Sequence, residues 1–428
     1  MSKITLFLTL SFLNILTSTP YMPLPIKLLD NFHTIKSTTS RLHGWISLNG
    51  DYVWEDDGIV LDAEKEAKRV TDKAEEMEVE RNKALVPPKL RSGEFKPKQS
   101  LGQNFLTDQN TINRIVNSFS KDATRSTSSI TGLVELGPGP GALTQLLISK
   151  YGTENFRCIE IDQRSVELLN KQYPELDVRH MDVLQVDYPG MKREINGEGG
   201  EGLAVIGNLP YYITSQILFA LADASHQDAI RSATVTMQWE VGERLVANLS
   251  TKAYGILSVV FQIYAETRMH FKIPPTVFYP KPKVDSGLVG LSFVGQEVLR
   301  RRLCGVRPRD LRMVLTKTFQ QRRKCVRNSL KKLLLEELDG DAEKVQSVLN
   351  AQPQLPAAVA KLASEGDAFA KVQRLPEDWA AKRPEEINPA QFIELTRLVY
   401  GDELEEGGGV GSGYELGGKV WRKLKHGT

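Results

Sequence analysis

Between Leu133 and Met237 short apolar runs alternate with segments of helical periodicity, and few architectures accept that pattern. Leu133–Leu136, Phe156–Ile161, Asp177–Met181, Leu203–Ile206 and the alternating Ala233, Val235 and Met237 read as strands. Leu143, Leu146 and Leu147, then Arg164–Lys171 and Gln216–Leu221, read as the helices between them. A strand–helix–strand order needs crossover connections, so it predicts a parallel sheet covered on both faces. Upstream, Ile112, Ile115, Val116 and Phe119 mark a helix over Asp108–Phe119 with Thr107 or Asp108 as its N-cap. Val284–Phe293 closes this α/β domain with strand-like alternation. After it the strands stop. Leu311–Leu335 has helical periodicity, and Asn388-Pro389 opens a helix through Phe392, Leu395 and Leu398. The expected organisation is an α/β domain over 95–296, a small all-helical domain over 297–402 and a glycine-rich tail over 403–428.

The chain has 428 residues, more than one ordinary domain needs. Its first fifty residues have a different character. Ile4–Leu16 is mostly apolar and follows Lys3, but it is shorter than the ~20 apolar residues of a membrane span. It resembles the apolar core of a signal peptide. The Ser/Thr-rich stretch after it holds Lys27, Lys36 and Arg41, with Asp30 as its one acid before Asp51. That order suits a targeting segment over 1–50 for an organelle, a plastid ahead of a mitochondrion, with no stable membrane insertion. The alternative is an N-terminus with no address. Residues 51–94 are highly charged and read as a linker or solvated helix ended by Pro87 and Pro88. Cys158, Cys304 and Cys325 are scattered, without metal-ligand spacing, which argues for a reducing compartment and against a structural metal.

Glu135-Leu136-Gly137-Pro138-Gly139-Pro140-Gly141 lies between a strand and a helix. Gly137 and Gly139 would permit a tight turn and close approach of a ligand to the backbone. Glu160 lies 23 residues after Gly137, at the end of the next strand, where a carboxylate can accept from both ribose hydroxyls. Asp182 ends the third strand, where an acid can accept from an adenine amine. Either acid alone reads as a solvated loop residue. With the glycine loop they point to an adenosine-containing cofactor. NAD is the competitor, but the spacing is G-x-G-x-G and no second dinucleotide half follows. The balance favours S-adenosylmethionine.

After the fourth strand comes Asn208-Leu209-Pro210-Tyr211. An adenine amine is a poor nucleophile because its lone pair is delocalised into the ring. The side-chain oxygen of Asn208 and the carbonyl of Leu209 could accept its N–H bonds and localise that lone pair. Pro210 fixes the turn, and Tyr211 offers a ring for an extruded base. Elsewhere the same four residues read as a plain turn before a helix; at the end of this strand the catalytic reading is preferred. Leu209 in place of a second proline argues against a protein-amide substrate.

These motifs, with Lys98–Leu106, Pro274–Ser286, Phe319–Lys324 and Arg383–Glu386, resemble the ribosomal RNA adenine dimethyltransferase family. The resemblance runs from about Lys96 to Tyr400 in family order. It implies a Rossmann-like, S-adenosylmethionine-dependent methyltransferase sheet with a small all-helical C-terminal domain. It implies dimethylation of two adjacent adenosines near the 3′ end of small-subunit ribosomal RNA, in the RNA or a pre-ribosomal subunit. It places Asn104 and Leu106 at the cofactor, with Gly137, Glu160, Asp182 and Asn208, and sets Phe278 to stack on the target adenine opposite Tyr211. Tyr212 stands where many relatives carry Asn.

Arg312, Lys317, Arg322, Arg323, Lys324, Arg327, Lys331 and Lys332 occur between Leu311 and Leu333 without an acid. Composition alone leaves a solvated helix face and a phosphate-binding patch evenly matched; beside the resemblance, an RNA-facing segment is preferred. No heptad or long apolar edge is evident, which points to a monomer. Two other functions fit the same motifs: methylation of large-subunit ribosomal RNA, and an assembly or organellar transcription role in which methylation is incidental.

Overall fold

The computed structural model describes residues 96–125, 130–303, 305–351 and 375–400, together with an antiparallel pair of two-residue strands, β1 (Trp45–Ile46) and β2 (Tyr52–Val53). Apart from that pair, the expectations for residues 1–50, 51–94 and 403–428 lie outside the described residues.

A short strand β3 (Phe105–Leu106) precedes α1 (Gln109–Ala123). The cap of α1 is Asp108, whose carboxylate accepts from the Thr111 backbone N–H at 2.7 Å and the Thr111 hydroxyl at 2.6 Å. There follow β4 (Leu133–Leu136), α2 (Thr144–Tyr151), β5 (Phe156–Glu160), α3 (Gln163–Gln172), β6 (Asp177–His180), α4 (Tyr188–Asn196), β7 (Leu203–Asn208), α5 (Thr214–Ser225) and β8 (Ile230–Gln238). Then come α6 (Trp239–Leu245), α7 (Ile256–Tyr264), β9 (Ala265–Ile273), β10 (Phe278–Tyr279) and β11 (Ser286–Phe293).

The main sheet has seven strands in the order β6-β5-β4-β7-β8-β11-β9. The five from β6 to β8 are parallel. The parallel sheet expected from the strand–helix order is extended at the other edge, where β11 runs antiparallel to both β8 and β9. The connection favours this: the chain returns from β9 to β11 without a crossover α-helix. Side chains alternate across the parallel strands. Leu133, Ala204 and Ile206 join the apolar cluster under α1, whereas Val134, Leu136 and Val205 join the cluster on the other face. The sheet is thus covered on both sides.

Past Phe293 the described chain is helical: α8 (Gln296–Leu303), α9 (Pro308–Gln320), α10 (Val326–Glu337), α11 (Ala342–Asn350) and α12 (Pro389–Tyr400). Asn388 and Gln391 cap α12 reciprocally, each side chain accepting the other's backbone N–H. The periodicity over Leu311–Leu335 is divided between α9 and α10 by a turn at 321–325, closed by the Lys324 N–H on the Gln321 carbonyl. Leu311, Val314, Leu315, Leu330, Leu333, Phe392 and Leu395 belong to the same apolar cluster as Val134 and Val205 of the sheet. The helical part therefore has no separate core, and 96–400 fall within one compact unit.

The structure divides the basic segment, expected to be RNA-facing only in part because Val314, Leu315, Phe319 and Leu330 need burial. Arg312 is 7% exposed, and its guanidinium lies 5.1 Å from the centre of the Phe219 ring. Burial pushes its pKa down to about 10, against the pull of Asp223. Arg322 donates to the Tyr254 carbonyl at 2.8 Å, and Lys317 and Lys332 each stand 3.7 Å from Glu336. Arg323, Lys324 and Lys331 are exposed and have no acid partner among the described residues. Arg312→Ala is therefore expected to lower stability by about 1–3 kcal/mol through lost packing of α9 on α5. Denaturant unfolding checks this, and an unchanged midpoint would contradict the buried role.

Candidate active site

The parallel strands β4, β5, β6 and β7 end on one edge of the sheet, and their last residues open into a cleft. Leu136, Gly137, Gly139, Ile159, Glu160, Ile161, Asp182, Asn208 and Leu209 line its floor. The segment Leu101–Phe105 forms the facing wall. Antiparallel pairing of β3 with β10 fixes this wall's end, with Phe105 opposite Tyr279 and Leu106 opposite Phe278.

Gly137 and Gly139 both hold positive φ, 67° and 56°, which disfavours any residue with a side chain. A Cβ on Gly137 would meet nothing within 4 Å, so the space above it is the cleft itself. A Cβ on Gly139 would come within 2.9 Å of the Phe105 ring, so the loop and the wall are in contact. Glu160 is 5% exposed and accepts three backbone N–H groups: Gly139 at 2.9 Å, Ile161 at 2.8 Å and Asp162 at 2.8 Å. Burial raises its pKa, and the three N–H groups oppose that. A carboxylate has about four acceptor sites, and three backbone donors share those of Glu160 in this arrangement. Asp182 caps the turn at Val183–Gln185 with one oxygen, accepting from Leu184 N–H at 2.9 Å. An apolar floor, an open glycine loop and two acids at strand ends fit the adenosine and sulfonium of S-adenosylmethionine.

Sequence reasoning missed Asp162, which is 1% exposed. Its carboxylate accepts from Lys98 Nζ at 3.1 Å, from Gln103 Nε2 at 2.9 Å and from Arg164 Nε and Nη2 at 3.0 and 2.6 Å. Arg164 also donates to the Lys96 carbonyl at 3.0 Å. Asp162 thereby straps the wall to the start of α3. Chiefly through Arg164, its carboxyl is held well below the usual range. The available signal was an acid two residues after Glu160, beside a basic N-terminal motif.

Asn208 ends β7. Its Nδ2 donates to the Asn104 carbonyl at 2.7 Å, and its Oδ1 accepts from the Thr236 hydroxyl on β8. Asn104 lines the cleft and reaches the Gly102 carbonyl at 3.1 Å. Pro210 gives its carbonyl to the Thr214 hydroxyl at 2.9 Å, closing the turn into α5. The Tyr211 hydroxyl shares a hydrogen bond of 2.6 Å with Ser286 of β11, leaving its ring along the cleft. Tyr212 also lines the cleft and is 57% exposed.

Two of the expected site residues lie away from the cleft lining. Leu106 and Phe278 are 6% and 4% exposed, belong to the apolar cluster under the sheet and do not line the cleft. Opposed residues in an antiparallel pair share a face, so when Phe105 faces the cleft its neighbours Leu106 and Phe278 face the core. The exposed aromatic of β10 is Tyr279, at 60%. Among the described residues no cluster of three or more His, Cys, Asp or Glu could hold a metal, and no helix is long and apolar enough to cross a membrane.

Beneath the loop, Glu135 is 1% exposed and accepts from the Thr144 hydroxyl at 2.8 Å and the Cys158 thiol at 3.8 Å. Burial raises its pKa from 4.5 to about 8. The folded state therefore keeps a proton that the unfolded chain releases, and stability falls as pH rises between these two values. The slope is roughly 1.4 kcal/mol per pH unit at most. Glu135→Gln should flatten it and raise the melting temperature at pH 8 relative to the parent. Melting curves from pH 5 to 8 test this, and an unchanged slope would contradict a protonated Glu135.

The ribosomal RNA adenine dimethylase family model matches residues 94–363. The chain is 38% identical over 319 residues to ribosomal RNA small subunit methyltransferase A of Salinibacter ruber, covering 73% of this chain and 88% of that protein. It is 34% identical over 283 residues to the protein of the same description from Chlorobium luteolum, covering 66% and 92%. That of Prosthecochloris aestuarii is 37% identical over 238 residues, covering 56% and 83%. With its glycine loop, strand-end acids and Asn208–Tyr211 gathered at one sheet edge, the chain belongs to the ribosomal RNA adenine dimethylase family of S-adenosylmethionine-dependent methyltransferases.

Proposed function

We propose that this protein methylates N6 of two adjacent adenosines near the 3′ end of small-subunit ribosomal RNA during ribosome biogenesis. The observation that carries this reading is the placement of Asn208 and Leu209 in the cleft, one strand from the glycine loop. S-adenosylmethionine supplies a methyl group already activated as a sulfonium. The protein's part is then to hold the amine. Asn208 Oδ1 and the Leu209 carbonyl accept its N–H bonds, which favours a lone pair aimed at the methyl. Positioning of this kind contributes most of the acceleration when no strong base is needed. Tyr211, tied by its hydroxyl to Ser286, presents its ring to the base.

Exposed Arg323 and Lys324 in the turn before α10 and Lys331 on α10 supply cations for phosphates. The relatives' description as small-subunit enzymes supports that substrate over large-subunit RNA. The N-terminal composition supports import into an organelle, a plastid ahead of a mitochondrion. A fluorescent protein carrying residues 1–50 should enter that organelle, and a cytosolic signal would refute the import reading.

Purified protein, S-adenosylmethionine and small ribosomal subunits lacking the marks should yield dimethyladenosine at two adjacent positions by mass spectrometry of the digested RNA. Asn208→Ala should lower the rate at least ~100-fold while leaving the fold intact. Product on large subunits alone would favour the other RNA. Full rescue of ribosome assembly by Asn208→Ala would make binding, not chemistry, the essential function.

A further inference from the structure

We infer that Thr236 is a positioning residue for methyl transfer, setting the direction of both acceptors that hold the target amine; the inference rests on the reading of Asn208 and Leu209 given above. Thr236 belongs to none of the sequence motifs. It lies on β8, where the parallel register sets it beside Asn208 of β7. Its hydroxyl donates to Asn208 Oδ1, and its backbone carbonyl accepts the Leu209 N–H at 3.2 Å. One residue thus touches the side chain of the first acceptor and the peptide unit next to the second.

The assignment of the Asn208 amide follows from chemistry. The Asn104 carbonyl can only accept, so the amide atom 2.7 Å from it is Nδ2. Oδ1 then faces Thr236, whose hydroxyl must be the donor. Thr236 is fully buried. A buried hydroxyl without an acceptor is costly, and a β-branched side chain has few rotamers. The hydroxyl therefore enforces its bond rather than following it. Oδ1 has two lone pairs. Thr236 takes one, and the other remains for an adenine N–H. A flipped amide would turn one N–H toward Thr236 and the other toward the amine, setting donor against donor. Asn104 and Thr236 lock the productive orientation from opposite ends, one from the cofactor wall and one from the sheet.

Thr236→Val keeps the shape and removes the hydroxyl, while Thr236→Ser keeps the hydroxyl. In the full chain, Val should lower kcat on undermethylated small subunits by about 10- to 100-fold. KM for S-adenosylmethionine should stay within about twofold, and Ser should restore kcat to within about twofold of the parent. A second readout does not need turnover. In protein labelled with 15N-asparagine, the side-chain amide signals of Asn208, assigned by their loss in Asn208→Ala, should move in Val and return in Ser. Unaltered kcat in Val, an unmoved Asn208 signal, or equal loss of kcat, cofactor affinity and melting temperature in both variants overturns the inference. If the parent itself transfers no methyl group, the proposed function falls, and the Asn208 signal still decides whether Thr236 orients that amide.

Discussion

The cleft depends on one buried carboxylate. Asp162 sits at the end of β5 with almost no exposure, and side chains from two separate parts of the chain converge on it. Removing a charge from water costs several kcal/mol, and only good geometry with several donors offsets it. Lys98, Gln103 and Arg164 supply those donors, two of them charged. The result is mechanical. A segment that would otherwise lie loose over the sheet becomes the outer wall, bringing Asn104 to Asn208 and Phe105 to Gly139. Glycine loop, wall and the Asn208–Tyr211 turn are joined through that strap.

Three acids near the cleft are held in different electrostatic regimes. Asp162 is kept ionised by its cations, Glu160 balances burial against three N–H donors, and Glu135, beneath the loop, is pushed toward its neutral form. Glu135 accepts from a hydroxyl and a thiol and meets no cation in these contacts. Its neutral carboxyl can pack under the glycine turn without placing a second full charge beside Glu160.

Much of the fold was legible. The five parallel strands were read from short runs, with an apolar stretch ending at glycine clearest in β4 and alternation the mark of β8, and helical spacing located α1, α3 and α5. The closing strand β11 was read, but the edge strand β9 was not, although Ala265, Thr267, Met269, Phe271 and Ile273 alternate with Glu266, Arg268, His270 and Lys272. Alternation there is the mark of an edge strand, exposed on one side, and it lacked the continuous apolar run of its buried neighbours. In the site, Gly137, Gly139, Glu160, Asp182, Asn104 and Asn208–Tyr211 come together around one cleft. Leu106 and Phe278 do not line it, because alternation in a two-residue strand pair turned them into the core.

The sequence by itself determined the order of elements, the glycine loop, the acids at strand ends and the Asn208–Tyr211 turn, because each is written in residues close along the chain. Tertiary structure alone decided which residues orient that turn. Thr236, Ser286 and Asn104 lie 28, 75 and 104 residues from the groups they hold. It also decided that Arg312 packs on Phe219 rather than facing solvent with its basic neighbours. Local pattern fixes where a strand ends. Pairing between strands fixes which hydroxyl stands beside it, and that depends on register and burial, neither of which a run of neighbouring residues encodes.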